Sequence, residues 1–85
     1  MAFIIEDFRD LSPRDICKIC EENNIMYFTT PTLKAILKDL NSKYYKLEIF
    51  ETLITMDIGM ICEENNIMYF SDAVLKEIIK ELNNS

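Results

Sequence analysis

The side chains best suited to covalent or metal chemistry are three cysteines: Cys17, Cys20 and Cys62. Cys17-Lys-Ile-Cys20 has the spacing of a redox pair or of half a zinc site. A structural zinc ion needs four ligands, and the chain has neither a fourth cysteine nor any histidine. A redox pair of the thioredoxin kind would need a strand before the motif and a helix beginning at it. Here the motif falls inside a helical pattern. The odd count also argues against a disulfide framework. Cys20 and Cys62 are therefore expected as small core residues, with Cys17 at the core's edge, no bound zinc and no intramolecular disulfide.

The remaining candidates are groups for binding rather than catalysis. Glu21-Glu22 and Glu63-Glu64 precede Asn-Asn pairs that can end helices, where carboxylates oppose the macrodipole. That mismatch marks Glu21, Glu22, Glu63 and Glu64 as candidate contact residues. Tyr27-Phe28 and Tyr69-Phe70 follow, and alternation turns one ring of each pair inward, leaving Tyr27 and Tyr69 as candidates at the surface. Met56 and Met60, four apart, adjoin on a helix and would form an adaptable apolar contact. Without histidine, with a single glycine, no phosphate loop and no metal cluster, nothing supplies nucleophile and base together. The expectation is a non-enzyme with no cofactor.

These residues are positioned by a repeated unit. A shift of 42 residues superposes the chain on itself without gaps, and Ile19–Phe28 recurs letter for letter as Ile61–Phe70. Glu6/Glu48, Phe8/Phe50, Leu11/Leu53, Asp15/Asp57, Ile16/Ile58, Leu33/Leu75, Lys34/Lys76, Ile36/Ile78, Lys38/Lys80, Leu40/Leu82 and Asn41/Asn83 also match. Ten identical letters in a row point to tandem duplication. The expected fold class is all-α: one domain over residues 1–85, with repeat 1 at 1–42 and repeat 2 at 43–85, forming a pseudo-two-fold helical body.

Each copy reads as three helices. The first spans Phe3–Leu11, or Tyr44–Ile54 in the second copy. Ser12-Pro13-Arg14-Asp15 starts the next, with Ser12 as N-cap, Pro13 at the first helical position and Asp15 closing a capping box. In copy two Ile54-Thr55 replaces Ser12-Pro13, so its first two helices are expected to merge with a bend. On the outer side Arg14 and Lys18 become Met56 and Met60. The third helix takes Thr30-Pro31 or Asp72-Ala73 as cap and first turn, and buries Leu33, Ile36, Leu37 and Leu40 or their matches Leu75, Ile78, Ile79 and Leu82. Segments 25–28 and 67–70, short and rich in β-formers, either pair as a small antiparallel ribbon or tuck into the core.

Helix, short loop ending in an aromatic, and helix, in tandem, resembles the outline of a degenerate EF-hand pair. Starting the loop at Glu63 puts Asn65 and Ile67 at the next ligand positions. Met68 then stands where the turn needs glycine and Val74 where calcium needs a bidentate Glu, so no calcium site is expected.

The net charge of −6 disfavours nucleic acid, whose phosphates are held by Lys and Arg. No apolar run approaches a membrane span, and Met-Ala-Phe-Ile-Ile-Glu does not read as a signal peptide. A cytoplasmic location follows as an expectation. Abundant Ile, Asn and Lys reflect AT-rich codons, as in low-GC bacteria, their phages or some protists. The function expected is an acidic protein-interaction module, a regulator or inhibitor with a protein partner or a second copy of itself. The alternative is a nucleic-acid-associated protein, through a helix–turn–helix outline or acidic mimicry of DNA.

Overall fold

Local signals set both ends of the first helix. In a computed structural model, which describes residues 2–84, α1 runs Pro13–Glu22, and the Asp15 N–H donates to Ser12 Oγ at 3.2 Å. Among the described residues the Asp15 carboxylate returns no bond to Ser12, so only half of the capping box forms. At the other end Asn24 adopts a left-handed φ of 67°. This lets the Ile25 N–H reach the Cys20 carbonyl at 2.9 Å and the Asn24 N–H reach that of Glu21 at 3.0 Å. The Asn23 side chain donates to the Ile19 carbonyl at 2.8 Å. A second helix repeats this stop in every particular: Asn66 has φ 66°, Ile67 bonds Cys62 at 3.0 Å, and Asn65 Nδ2 bonds Ile61 at 2.8 Å. The repeated Ile-Cys-Glu-Glu-Asn-Asn-Ile run is thus one complete helix terminus.

The chain then forms α2 (Thr30–Leu40), a four-residue α3 (Leu47–Phe50), α4 (Thr55–Glu64) and α5 (Asp72–Asn83). The caps of α2 and α5 are Thr29 and Ser71, one residue earlier than Thr30 and Asp72. Ser71 Oγ accepts the Val74 N–H at 3.4 Å.

The first element of each copy is much shorter than its pattern suggests. Only a 3-10 turn, Ile5–Asp7, occupies the Phe3–Leu11 stretch, and α3 is all that forms within Tyr44–Ile54. Neither has a side-chain N-cap bond, and so few residues cannot offset the cost of nucleating a longer helix. Nor do α3 and α4 merge. Ile54 is extended (φ −77°, ψ 162°), because Thr55 donates its N–H to the Met26 carbonyl at 2.9 Å and its hydroxyl to that of Ile25 at 3.3 Å. No strand forms among the described residues. The 25–28 and 67–70 segments tuck inward instead, burying Ile25, Phe28 and Phe70 and half-burying Ile67.

Helices pair across the middle of the chain. α1 lies antiparallel to α4: the Arg14 N–H donates to Glu63 Oε2 at 3.0 Å at one end, and Thr55 meets Met26 at the other. α2 lies antiparallel to α5, α3 packs on α2, and the 3-10 turn packs on α5. Each of these pairings joins an element before Asn41 to one after Lys46. The shared core holds Phe8, Ile16, Leu33, Ile36, Phe50, Ile58, Leu75 and Ile78, each burial contributing roughly 1.5–3 kcal/mol. Leu37, Leu40 and Ile79, on the same stripes, are only partly buried.

Cys17 is not at the core's edge. It is fully buried where α1 crosses α4, directly against Gly59, 42 positions later in the chain. The body is compact, with a radius of gyration of 11.5 Å and extents of 37 × 23 × 18 Å. No described helix is long and apolar enough to cross a membrane.

Candidate protein-binding surface

Each helix stop throws the chain into a tight loop, and the next residues divide by burial. Phe28 and Phe70 anchor the two loops in the core. Their neighbours point out: Tyr27 is 58% exposed and Tyr69 57%, with Met26 at 45% and Met68 at 69%. Alternation alone identifies the outward tyrosines; the methionines beside them complete two matching apolar knuckles that the sequence reading missed. The signal was present, since Met26/Met68 lie inside the identical block yet outside any core stripe.

The two knuckles stand at opposite ends of the antiparallel α1–α4 pair, one following each helix. A ten-residue helix is about 15 Å long, which sets the scale of their separation.

The four glutamates divide in the same way. Glu22 and Glu64 are exposed, whereas Glu21 and Glu63 are half-buried. Glu63 has a structural task, accepting the first free N–H of α1 from Arg14 at 3.0 Å. A carboxylate at a helix N-terminus is favourable, so the apparent mismatch at the end of α4 is resolved by the neighbouring helix.

Met56 and Met60 do not share one exposed surface. Met60 is 44% exposed, but Met56 is half-buried against the core, in a shallow depression with Ser12, Arg14, Asp15, Lys18 and Glu63. The antiparallel crossing brings the α1 cations over Met56, so the two helices share that residue between them.

An open hollow of about 590 Å³ lies at the end of α2 around Leu37, between Lys34, Lys38 and Lys43, with Asn41 and Ser42 at its rim. It is a wide, lysine-edged dish with no carboxylate among its lining residues.

The three thiols are free and buried. Burial pushes Cys20 and Cys62 up to about 12, helped by Glu81 near Cys20 and by Asp39 and Glu63 near Cys62. Cys17 is raised further, by burial first and then by the neighbouring Cys20 and Cys62, against a smaller opposing bond with the Gly59 backbone. Thiols held this firmly protonated are poor nucleophiles and poor soft-metal ligands. Among the described residues no cluster of three metal-ligating side chains occurs.

The architecture thus defines a small all-helical protein whose helices pair across its midpoint and whose two equivalent loops carry exposed Met-Tyr pairs. In comparison with known proteins the chain matches no family model, no curated protein and no solved structure.

Proposed function

We propose that this chain is a non-catalytic protein-binding module, built by tandem duplication of one helical unit, which engages its partner through Met26-Tyr27 and Met68-Tyr69. One observation carries the reading: these four residues are exposed and identical between copies, although nothing in the fold requires it. Cys20/Cys62, Phe28/Phe70 and the Asn pairs have structural reasons to match. Other exposed apolar positions diverge, as in Ile4/Lys46 and Lys18/Met60, while the exposed positions that do match outside the identical block, Glu6/Glu48, Asp15/Asp57, Lys34/Lys76, Lys38/Lys80 and Asn41/Asn83, are all charged or polar. Tyrosine and methionine side chains bury large area at low directional demand, which suits a partner with an apolar pocket.

Glu22 and Glu64, exposed one turn before each knuckle, add a negative flank and favour a partner whose pocket is rimmed by Lys or Arg. The same acidity weighs against contact with nucleic-acid phosphates. A catalytic reading lacks support, because the nucleophile candidates are buried and the chain has no histidine.

The test is affinity capture from host extract with wild type and with a variant carrying Met26→Ser, Tyr27→Ser, Met68→Ser and Tyr69→Ser. The exposed changes should leave thermal unfolding within a few degrees of wild type. Proteins retained by wild type should be lost from the variant. Identical capture by a folded variant would show that binding, if any, lies elsewhere.

A further inference from the structure

The way the helices pair says what a second copy of this chain would do. Neither the segment ending at Leu40 nor the one beginning at Leu47 packs its helices mainly on itself: α1 needs α4, α2 needs α5 and α3, and the 3-10 turn needs α5. The polar bonds repeat that division. Arg9 pairs with Asp72 at 3.1 Å, Thr30 donates to Glu51 at 3.4 Å, Glu81 receives Thr29, and Asp39 receives Ser71. Only residues 41–46 join the halves covalently, and this connection is largely exposed, with Tyr44 91% accessible. Whether the second half comes from the same chain or another therefore changes nothing except the path of six residues.

The α1–α4 crossing restricts which halves can meet. A β-carbon at Gly59 would lie 2.9 Å from Cys17 Sγ, 3.3 Å from Cys17 Cβ and 3.2 Å from the Pro13 carbonyl oxygen. Two first halves would bring Cys17 against Cys17 in that gap and clash with backbone. Two second halves would set Gly59 against Gly59 and leave a void. Two first halves would also lose the Thr55 N–H bond to the Met26 carbonyl, because Pro13 at the equivalent position has no N–H to donate. A first half thus accepts a second half in preference to its own kind.

We propose that this chain self-associates by reciprocal exchange of halves, forming a closed dimer in which residues 1–40 of each copy pair with residues 47–85 of the other. The Cys17–Gly59 contact is the specificity determinant. No new surface is needed, and the assembly displays four Met-Tyr loops in place of two. The inference rests on the fold alone and stands or falls separately from the binding role of those loops.

Two differently tagged full-length preparations, mixed in denaturant and refolded together at millimolar concentration, should yield a species of twice the 10.0 kDa chain mass carrying both tags. Its helical circular dichroism per residue should equal that of the monomer. Mixing the same preparations already folded should give little of it, because exchange requires the halves to part. Deleting Ser42, Lys43 and Tyr44 shortens the return path within one chain and should raise the dimer fraction at least tenfold. Recovery of monomer alone after co-refolding would overturn the proposal. So would a folded shortened chain whose dimer fraction equals that of wild type; if the shortened chain does not fold, the co-refolding result decides.

Discussion

Glu81, in the last turns of α5, accepts the backbone N–H of Thr29 at 3.0 Å and so caps α2 from the opposite half of the chain. The same oxygen accepts the hydroxyls of Thr29 and of the fully buried Thr32. Asp39 does the converse, taking the Ser71 N–H at 3.0 Å and capping α5 from α2. Replacing Glu81 by Ala leaves the buried Thr32 hydroxyl with only the long 3.5 Å contact to Thr29 Oγ1 and uncaps the Thr29 N–H, and should cost about 2–3 kcal/mol. Asp39→Ala loses one exposed bond, while Ser71 Oγ still serves Val74, and should cost about 1 kcal/mol or less. Urea unfolding of the two variants tests the order; equal losses would mean the Thr32 bond contributes nothing.

Gly59 has two opposed demands on it. Alanine would improve helix propensity by about 1 kcal/mol, but its methyl meets Cys17 and the Pro13 carbonyl too closely. Overpacking of this kind costs about 1–3 kcal/mol, so Gly59→Ala should destabilise on balance. In a Cys17→Ala background the sulfur at 2.9 Å is gone while the backbone oxygen remains, so the same change should cost less without becoming free. Additive losses in the double-mutant cycle would show that the two positions do not press on each other.

Stability should fall at alkaline pH through the thiols. Their folded pKa values lie above the usual 9.0, with Cys20 and Cys62 at about 12. Above pH 9 the unfolded chain releases protons that the folded chain retains, which favours unfolding. The contribution is therefore complete below pH 9 and is lost progressively as pH climbs towards 12. Urea midpoints at pH 7, 9 and 10.5 should decline mostly over the last interval by this route, and substituting all three cysteines by alanine should flatten that decline. A slope unchanged by the substitutions would assign it to other groups.

Met60 and Met56 should behave differently despite sharing a helix. Met60→Lys restores the first-copy residue at an exposed site and should change stability by no more than about 0.5 kcal/mol. Met56→Arg places a cation in the depression that already holds Arg14 and Lys18 and removes apolar contact with the core, so it should cost about 1 kcal/mol or more. Thermal melts at matched salt distinguish the two; a neutral Met56→Arg would return that residue to the free surface.

The legible parts of this molecule are those decided within one or two helical turns. Ser12 as a cap, Asn24 and Asn66 as left-handed stops, and the Leu33/Ile36 and Leu75/Ile78 stripes are all local, and each was readable from spacing. Tyr27 and Tyr69 at the surface beside buried Phe28 and Phe70 followed from alternation. What was hidden lies in contacts between distant residues. No local rule places Glu81 at the start of α2, sets Thr55 against Ile25 and Met26, or draws Cys17 into the centre. The over-long reading of Phe3–Leu11 and Tyr44–Ile54 has a related cause: their apolar residues anchor loops to the other half rather than forming a helix stripe of their own.

Pairing across the midpoint also bears on how the chain is made. As residues leave the ribosome in order, α1 and α2 emerge with their apolar faces bare, because the helices that cover them have not been synthesised. Folding can begin in earnest only when α4 and α5 are present, so most native contacts close over long stretches of chain. Helical proteins of this size usually fold quickly because their contacts are local. This one should be slow for its class, and its first forty residues should depend during synthesis on speed of translation or on a chaperone's grip.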